Sequence, residues 1–309
     1  MIYVKISGRL GNQLFQYAFV KMLQKYNPKE KVVFNFDSVY RAHENENDGH
    51  ENTLRYFHTL GTEITDDINY SILQYIIWKV YNKFYPRSGS FSIRDKYERR
   101  WLLIMQFFGM YYLSLGYYPF RLKKPWWVKN LIVKGFFESP KYAEEIKAQL
   151  ETEFQPLQPL LPENKDLLDV IRQRNSVCIS IRRGDFVDNP ANKNVYFVCD
   201  KQYFQNAIKK IKEKVSNPVF IVFSNDIEWA KQNVEIDGEC YYESGKDPVW
   251  ETFRLMSSCK HFIISNSTLH WWAQYLSPNP DKVVIAPSRW YRSDFQSDLY
   301  QDNWLLQEV

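Results

Sequence analysis

Residues 177–187 read VCISIRRGDFV, and the reading of the whole chain turns on the change of character inside that stretch. Residues 177–181 are apolar or β-branched around one small polar side chain, the composition of a buried strand. Arg182, Arg183, Gly184 and Asp185 follow, four residues that a core strand does not carry. Two guanidiniums and a glycine at the carboxyl end of a strand stand where open α/β sheets bind ligands. The planar donor fork of guanidinium grips phosphate through two parallel hydrogen bonds. The stretch therefore reads as an anion site at Arg182 and Arg183. An Arg-Arg pair is also at home in a solvated turn, and Arg183-Gly184-Asp185 spells a cell-adhesion tripeptide. Adhesion needs an exposed loop tip, whereas this tripeptide abuts an apolar strand.

Working outward, residues 164–174 read as a helix leading into this strand, and residues 201–215 as an amphipathic helix leaving it. Residues 219–223 form a strand that stops at Ser224-Asn225-Asp226, followed by a helix over 227–232. A helix over 247–259, a strand over 261–264, a helix from 266 to 276 and a closing strand over 282–286 complete the half. This alternation predicts a parallel, doubly wound α/β sheet. Its strand ends deliver three polar clusters: Arg182-Arg183, Ser224-Asn225-Asp226 and Ser265-Asn266-Ser267-Thr268. The last sits at a helix start, where hydroxyls and backbone N–H groups can meet an anion together. Asp226 can accept hydrogen bonds from a ribose or a purine edge. Each cluster alone is an ordinary helix cap; together around one sheet edge they fit a nucleoside diphosphate.

The first half repeats the theme. Residues 1–6 read as a strand, Gly8 to Gln13 as a glycine-containing turn, and residues 14–26 as a helix. Strand, glycine turn and helix can cradle phosphate, which makes Gly11 and Asn12 candidates, although the pattern is neither GxGxxG nor a Walker loop. Residues 31–36 predict a strand, 41–52 a loop, 68–85 an aromatic helix, 131–137 a strand and 140–154 a helix. Residues 101–120 (WLLIMQFFGMYYLSLGYYPF) carry no charge and are long enough for a membrane span. Gln106, Gly109, Ser114, Gly116, Pro119 and the tyrosines make poor hydrocarbon solutes, and both flanks are basic. The stretch reads as a core or acceptor-groove element, with interfacial membrane contact as the alternative. Three prolines between 155 and 163 mark a linker, which predicts domains over 1–160 and 161–309, the C-terminal tail packing back on the first.

At 309 residues the chain can hold two full cores. A net charge of +4 is far from a nucleic-acid coat, so no nucleic-acid partner is expected. The aromatic share of 17% suits sugar stacking, membrane interfaces and cores alike. Cys178, Cys199, Cys240 and Cys259 form no CxxC pair, which predicts free thiols in a reducing compartment and no zinc site. The start, MIYVKISGRL, enters a strand without an h-region or cleavage site, so a cytoplasmic protein is expected. No DxD stands at a sheet end; Asn35-Phe36-Asp37 is a distant echo, and no obligatory divalent ion is expected.

The segments GRLGNQLFQYAFV (8–20), KGFFESPKY (134–142), SIRRGDFV (180–187), FSNDIEWAK (223–231), MSSCKHFIISNSTLHWWAQYL (256–276) and IAPSRWY (285–291) resemble the α1,2-fucosyltransferases of bacterial surface-polysaccharide and blood-group type. The resemblance runs from the first strand to about Tyr291 and is weakest over residues 60–130. It implies a two-domain GT-B-like fold with a Rossmann-like C-terminal donor domain. It also implies GDP-fucose as donor, a galactose-terminated oligosaccharide or lipid-linked glycan as acceptor, inversion at the fucose anomeric carbon, and no metal. By motif position Arg182 meets the donor β-phosphate with Arg183 beside it, and Asn12 faces the same centre. Three positions depart from the pattern: Ser180 stands where histidine is usual, Gly8-Arg9 replaces Gly-Gly, and His270 replaces a serine.

The chemistry follows from the donor. Breaking the sugar–diphosphate bond passes through an oxocarbenium-like state while negative charge gathers on GDP. A well-aimed cation or donor there is worth ~3–4 kcal/mol. GDP leaves without an acid, and the acceptor hydroxyl loses its proton to Asp185, to Glu138 or to no protein base. The rival among enzymes is a fucosyltransferase of another linkage or another GDP-sugar transferase. The rival from a different class is a non-catalytic glycan-binding or adhesion protein using the aromatic surface and the Arg183-Gly184-Asp185 tripeptide.

Overall fold

The computed structural model describes residues 1–46, 50–59, 62–293 and 295–309, with the side chains of residues 45, 46, 62, 185 and 191 outside that description. The chain divides into two compact units, Met1–Gln155 and Pro156–Val309.

The first unit is built on strands β1 (Ile2–Lys5), β2 (Val32–Asn35), β3 (Thr62–Ile64), β4 (Met110–Leu113) and β5 (Leu131–Gly135). Among the described residues they form a parallel sheet in the order β3-β2-β1-β5-β4. Helix α1 (Leu10–Lys25) is buried along most of its length. Its Phe19 stacks on Phe137 at 3.9 Å between ring centroids and meets Tyr142 edge-on. The alternate face, with Tyr3, Val33, Met110, Tyr112 and Ile132, packs against α3 (Ile72–Phe84) and α4 (Phe91–Phe107). Period-2 alternation therefore sends each strand's side chains to helices on both sides.

Two expectations change here. The loop predicted over 41–52 begins as helix α2 (Asp37–Glu46), where Arg41 reaches back one turn to Asp37 at 3.9 Å. The uncharged run 101–120 is not one element. It is the last two turns of α4, a turn at Gly109 and buried strand β4, followed by a stretch without regular structure. Gly109 adopts φ +73°, and a Cβ there would stand 2.5 Å from Val128, so the break is built in. Among the described residues no helix is long and apolar enough to cross a membrane. The segment predicted as one helix over 140–154 is two 3₁₀ turns followed by α5 (Lys147–Glu153).

The second unit holds β6 (Asn175–Ile181), β7 (Pro218–Ser224), β8 (Cys240–Tyr242), β9 (His261–Ile264), β10 (Val284–Pro287) and β11 (Leu305–Gln307). They form a parallel sheet in the order β11-β10-β9-β6-β7-β8. The stretch that opened the sequence analysis is thus the central strand, buried along all but its first residue. Its Val177, Ile179 and Ile181 pack with Val222, Ile263 and Ile285 against Phe204, Ala207 and Ile211. The helices are α6 (Lys165–Gln173), α7 (Asp185–Asp188), α8 (Pro190–Tyr196), α9 (Lys201–Lys212), α10 (Ile227–Asn233), α11 (Val249–Ser258) and α12 (Thr268–Leu276). The strand expected to close the sheet, β10, does not: the C-terminal segment pairs beside it as β11. The four cysteines are free thiols, and burial pushes those of Cys178 and Cys199 up.

Candidate functional site

Because β7, β6 and β9 are neighbours and parallel, the segments after them emerge side by side at one edge of the second unit's sheet. Ile181 is in register with Ser224, and Ser180 with Ile264. The three polar clusters read from the sequence are therefore brought together, at the edge where open α/β sheets take ligands.

The clusters do different work. Ser265 is fully buried, and its hydroxyl donates to the Ser180 carbonyl at 2.7 Å while accepting the Arg182 N–H at 3.0 Å. It fixes the backbone from which Arg182 springs. Asn266 is a knot as well: its amide donates to the carbonyls of Tyr196 and Trp290, both at 2.8 Å. Ser267 precedes α12, and its hydroxyl makes no capping bond. The first N–H groups of that helix, from Thr268 onward, thus lie at the edge with the positive end of the helix dipole.

The two arginines part company. Arg183 lies over Trp229, its guanidinium carbon 3.7 Å from the ring centroid, and its Nε meets Asp226 Oδ2 at 3.4 Å. Its backbone N–H donates to Asn225 Oδ1 at 2.9 Å. That charge is largely answered within the protein, and the side chain is mostly covered, which removes the exposed arginine an adhesion tripeptide needs. Asp226 caps α10 through Trp229 N at 3.2 Å and keeps a part-exposed carboxylate. Gly184 closes the turn at φ +32°, and a Cβ there would fall 2.2 Å from Asn225 Nδ2. Arg182 sits beside Phe186, 5.5 Å from the ring centroid, and Phe186 stacks on Tyr196. The Asp185 side chain, read as a catalytic carboxylate, lies outside the described residues.

In the first unit the adjacent strands β1 and β5 deliver the Gly8–Arg9 turn, the first turn of α1 with Gly11 and Asn12, and the segment with buried Glu138 to one sheet edge. The turn predicted to run to Gln13 is shorter, because α1 already begins at Leu10. Gly8 adopts φ +75° and leaves room for Asn12, whose Nδ2 would lie 2.7 Å from a Cβ. Sequence reasoning passed over the two residues that hold this turn. Gln16 clasps Ser7, accepting its N–H at 3.0 Å and donating to its carbonyl at 2.7 Å, and also donates to the Asn12 carbonyl at 2.9 Å. Gln13 bridges the Gly8 carbonyl to Thr53. The available signal was that both fall within the most apolar stretch of α1, among Leu14, Phe15, Tyr17, Ala18 and Phe19. Glu243 was missed for another reason: it follows β8, which was not foreseen. It stands buried beside β7 at the second unit's edge, and burial raises its carboxyl above the usual carboxylate range.

His270, on α12 against the Ser265 backbone, is buried, and burial pushes its imidazole down from 6.5 to about 3. The unfolded chain takes up this proton below its ordinary value while the folded chain resists, so stability is lost as pH falls from 6.5 towards 3. At about 1.4 kcal/mol per pH unit, the loss between pH 7 and 5 is about 2 kcal/mol. Urea unfolding across that range is expected to show a flatter profile for His270→Ser; an equal slope would remove His270 as the cause.

The family model described as Glycosyl transferase family 11 matches residues 93–308. The chain is 26% identical to the O-antigen biosynthesis glycosyltransferase WbnK of Escherichia coli, over 98% of this chain and 99% of that protein. An alpha-1,2-colitosyltransferase of Escherichia coli is 37% identical over 52% of this chain and 56% of its own length. Human galactoside alpha-(1,2)-fucosyltransferase 1 is 28% identical over 50% and 45%. Among solved structures, the fucosyltransferase NodZ from Bradyrhizobium superposes with a TM-score of 0.51 at 11% identity, covering 92% of this chain and 94% of that one. The α/β fold with two parallel sheets is of the GT-B type.

Proposed function

The chain belongs to glycosyl transferase family 11, and from that premise we propose that it moves fucose from GDP-fucose to the 2-hydroxyl of a terminal galactose in a glycan, inverting the anomeric carbon without a metal. The observation that carries this reading is Arg182 at the end of the central strand, its backbone held by Ser265, beside the start of α12. As the bond from the anomeric carbon to the diphosphate breaks, its electron pair goes to the leaving oxygen. Arg182 and the α12 N–H groups answer that charge. Asp226, part-exposed at the same edge, accepts from the nucleoside. The acceptor oxygen bonds to the anomeric carbon and its proton leaves to a carboxylate, Asp185 or Glu138, or to the departing diphosphate. Arg183 and Ser265 position this machinery.

A second reading has its own support: the identity to the colitosyltransferase, 37%, exceeds that to the human fucosyltransferase. The same anion grip would then serve a colitose donor. The deciding experiment offers GDP-fucose and GDP-colitose with a panel of galactosides, with and without chelator, and reads the linkage by NMR. An α1,2-fucosyl product that forms in chelator is the expected result. Turnover of GDP-colitose alone moves the donor to the second reading, a strict metal requirement overturns the mechanism, and absence of GDP binding by calorimetry returns the chain to a glycan-binding role.

A further inference from the structure

The face of the first unit formed by α3 and α4 is apolar where a water-facing helix pair is ordinarily polar. On α3, Gln74 and Tyr81 are buried, while Ile72, Ile76 and Val80 are exposed, Ile72 at 80%. Four-residue spacing sets these three in one row along the helix. On α4, Leu102 and Met105 are buried, while Leu103, Ile104 and Phe107 face out, Leu103 at 71%. Gln74 Nε2 donates to the carbonyls of Phe108 at 2.8 Å and Asn130 at 2.9 Å, which sets the first turn of α3 beside the last turn of α4. Trp127 extends the patch: its Nε1 donates to the Phe107 carbonyl at 3.0 Å, and the two rings lie 5.0 Å apart. Trp126 stands edge-on to it and is 90% exposed.

The charge around this patch is one-sided. Between Asp67 and Glu138 the sequence carries twelve lysines and arginines against two acidic residues, whereas the whole chain has a net charge of only +4. Asp95 is taken by Arg99 at 2.8 Å, and Glu98 is buried, bonded by Ser114 and Tyr85. Lys79 and Lys83 lie within the outward sector of α3, and Lys96 and Arg100 within that of α4. Lys123 and Lys129, exposed, flank the tryptophan pair. A second copy of the chain would set the same positive excess against itself, which disfavours self-pairing across this face. Exposed aliphatic side chains, an indole pair and an excess of lysines and arginines match an interface with negatively charged headgroups above hydrocarbon.

We propose that the α3–α4 face docks on an anionic phospholipid bilayer. Ile72, Ile76, Leu103 and Trp126 enter the headgroup–acyl boundary, and the lysines and Arg100 meet lipid phosphates. The contact lies on the surface, and it does not rest on the donor reading.

The test sediments the full chain with phosphatidylcholine vesicles prepared with and without phosphatidylglycerol, at low and raised salt. Phosphatidylglycerol is expected to tighten binding at least about tenfold, and salt to reverse the gain. Two double variants, Ile76→Ser with Trp126→Ser and Lys79→Glu with Lys83→Glu, each lose at least about tenfold, with circular dichroism and Tm unchanged. The lysine pair is exposed, so it decides the matter should the first variant misfold. Equal binding to both vesicles, or binding untouched by the lysine pair, overturns the proposal. So does a concentration-dependent dimer that Ile76→Ser with Trp126→Ser dissociates while vesicles bind nothing, which assigns the face to a second copy.

Discussion

Arg182→Ala is expected to lower kcat/KM for sugar transfer by roughly a thousandfold, the upper range for losing one donor aimed at a developing negative charge. The loss falls mainly in kcat, because charge on the diphosphate is greater in the transition state than in the bound donor. GDP affinity by calorimetry therefore falls far less than turnover. Arg182→Lys is expected to recover part of the rate, since a point charge survives while the two-pronged donor geometry is lost. The fold is expected to persist, since the Arg182 backbone is held by Ser265 and alanine keeps that N–H. Full activity in the alanine variant, with an unchanged unfolding midpoint, would remove Arg182 from the mechanism and with it the central argument for the site.

The position of Arg182 was legible because two local signals coincide, a run of buried strand residues and an abrupt switch to cations. Strand–helix alternation then carried the parallel sheet and the convergence of three polar strand ends. What escaped is what depends on distant partners. Ser265 reads as an anion-binding hydroxyl, but its bonds to Ser180 and Arg182 span more than 80 residues and no local pattern announces them. Strand β8 escaped because its residues, Cys240, Tyr241 and Tyr242, are half-buried and lack an apolar rhythm, and Glu243 went with it. The departures at Ser180 and His270 look independent along the chain. In the fold Ser180 is buried on β6 with its carbonyl on Ser265, and His270 is buried on α12 against the Ser265 backbone. Both positions that depart from the resembled pattern thus meet at one serine in the fold.

Glu251→Ala is expected to cost the second unit about 3–5 kcal/mol, the loss typical of stripping one partner from a buried ion pair. Glu251 is fully buried on α11, and its carboxylate receives the Leu161 N–H at 3.1 Å, the Asn164 amide at 3.2 Å and the Arg254 guanidinium. Arg254 also donates to the Gln158 carbonyl. One carboxylate thus ties the proline-rich stretch, read from sequence as a linker, onto a helix some 90 residues further along. Pro156, Pro159 and Pro162 limit what this stretch can do when unfolded, but none of them attaches it to anything. Alanine leaves a mostly covered guanidinium without its counter-ion and the Leu161 N–H without an acceptor, and each penalty stands apart from lost packing. Glu251→Gln keeps the shape and one acceptor oxygen, so its cost is expected to be smaller, with the Arg254 charge still unanswered. Urea unfolding of the full chain measures both, and hydrogen exchange at residues 156–164 locates the effect. A loss under about 1 kcal/mol with unchanged exchange would mean that the prolines and apolar packing suffice; the geometry of Glu251 argues that they do not.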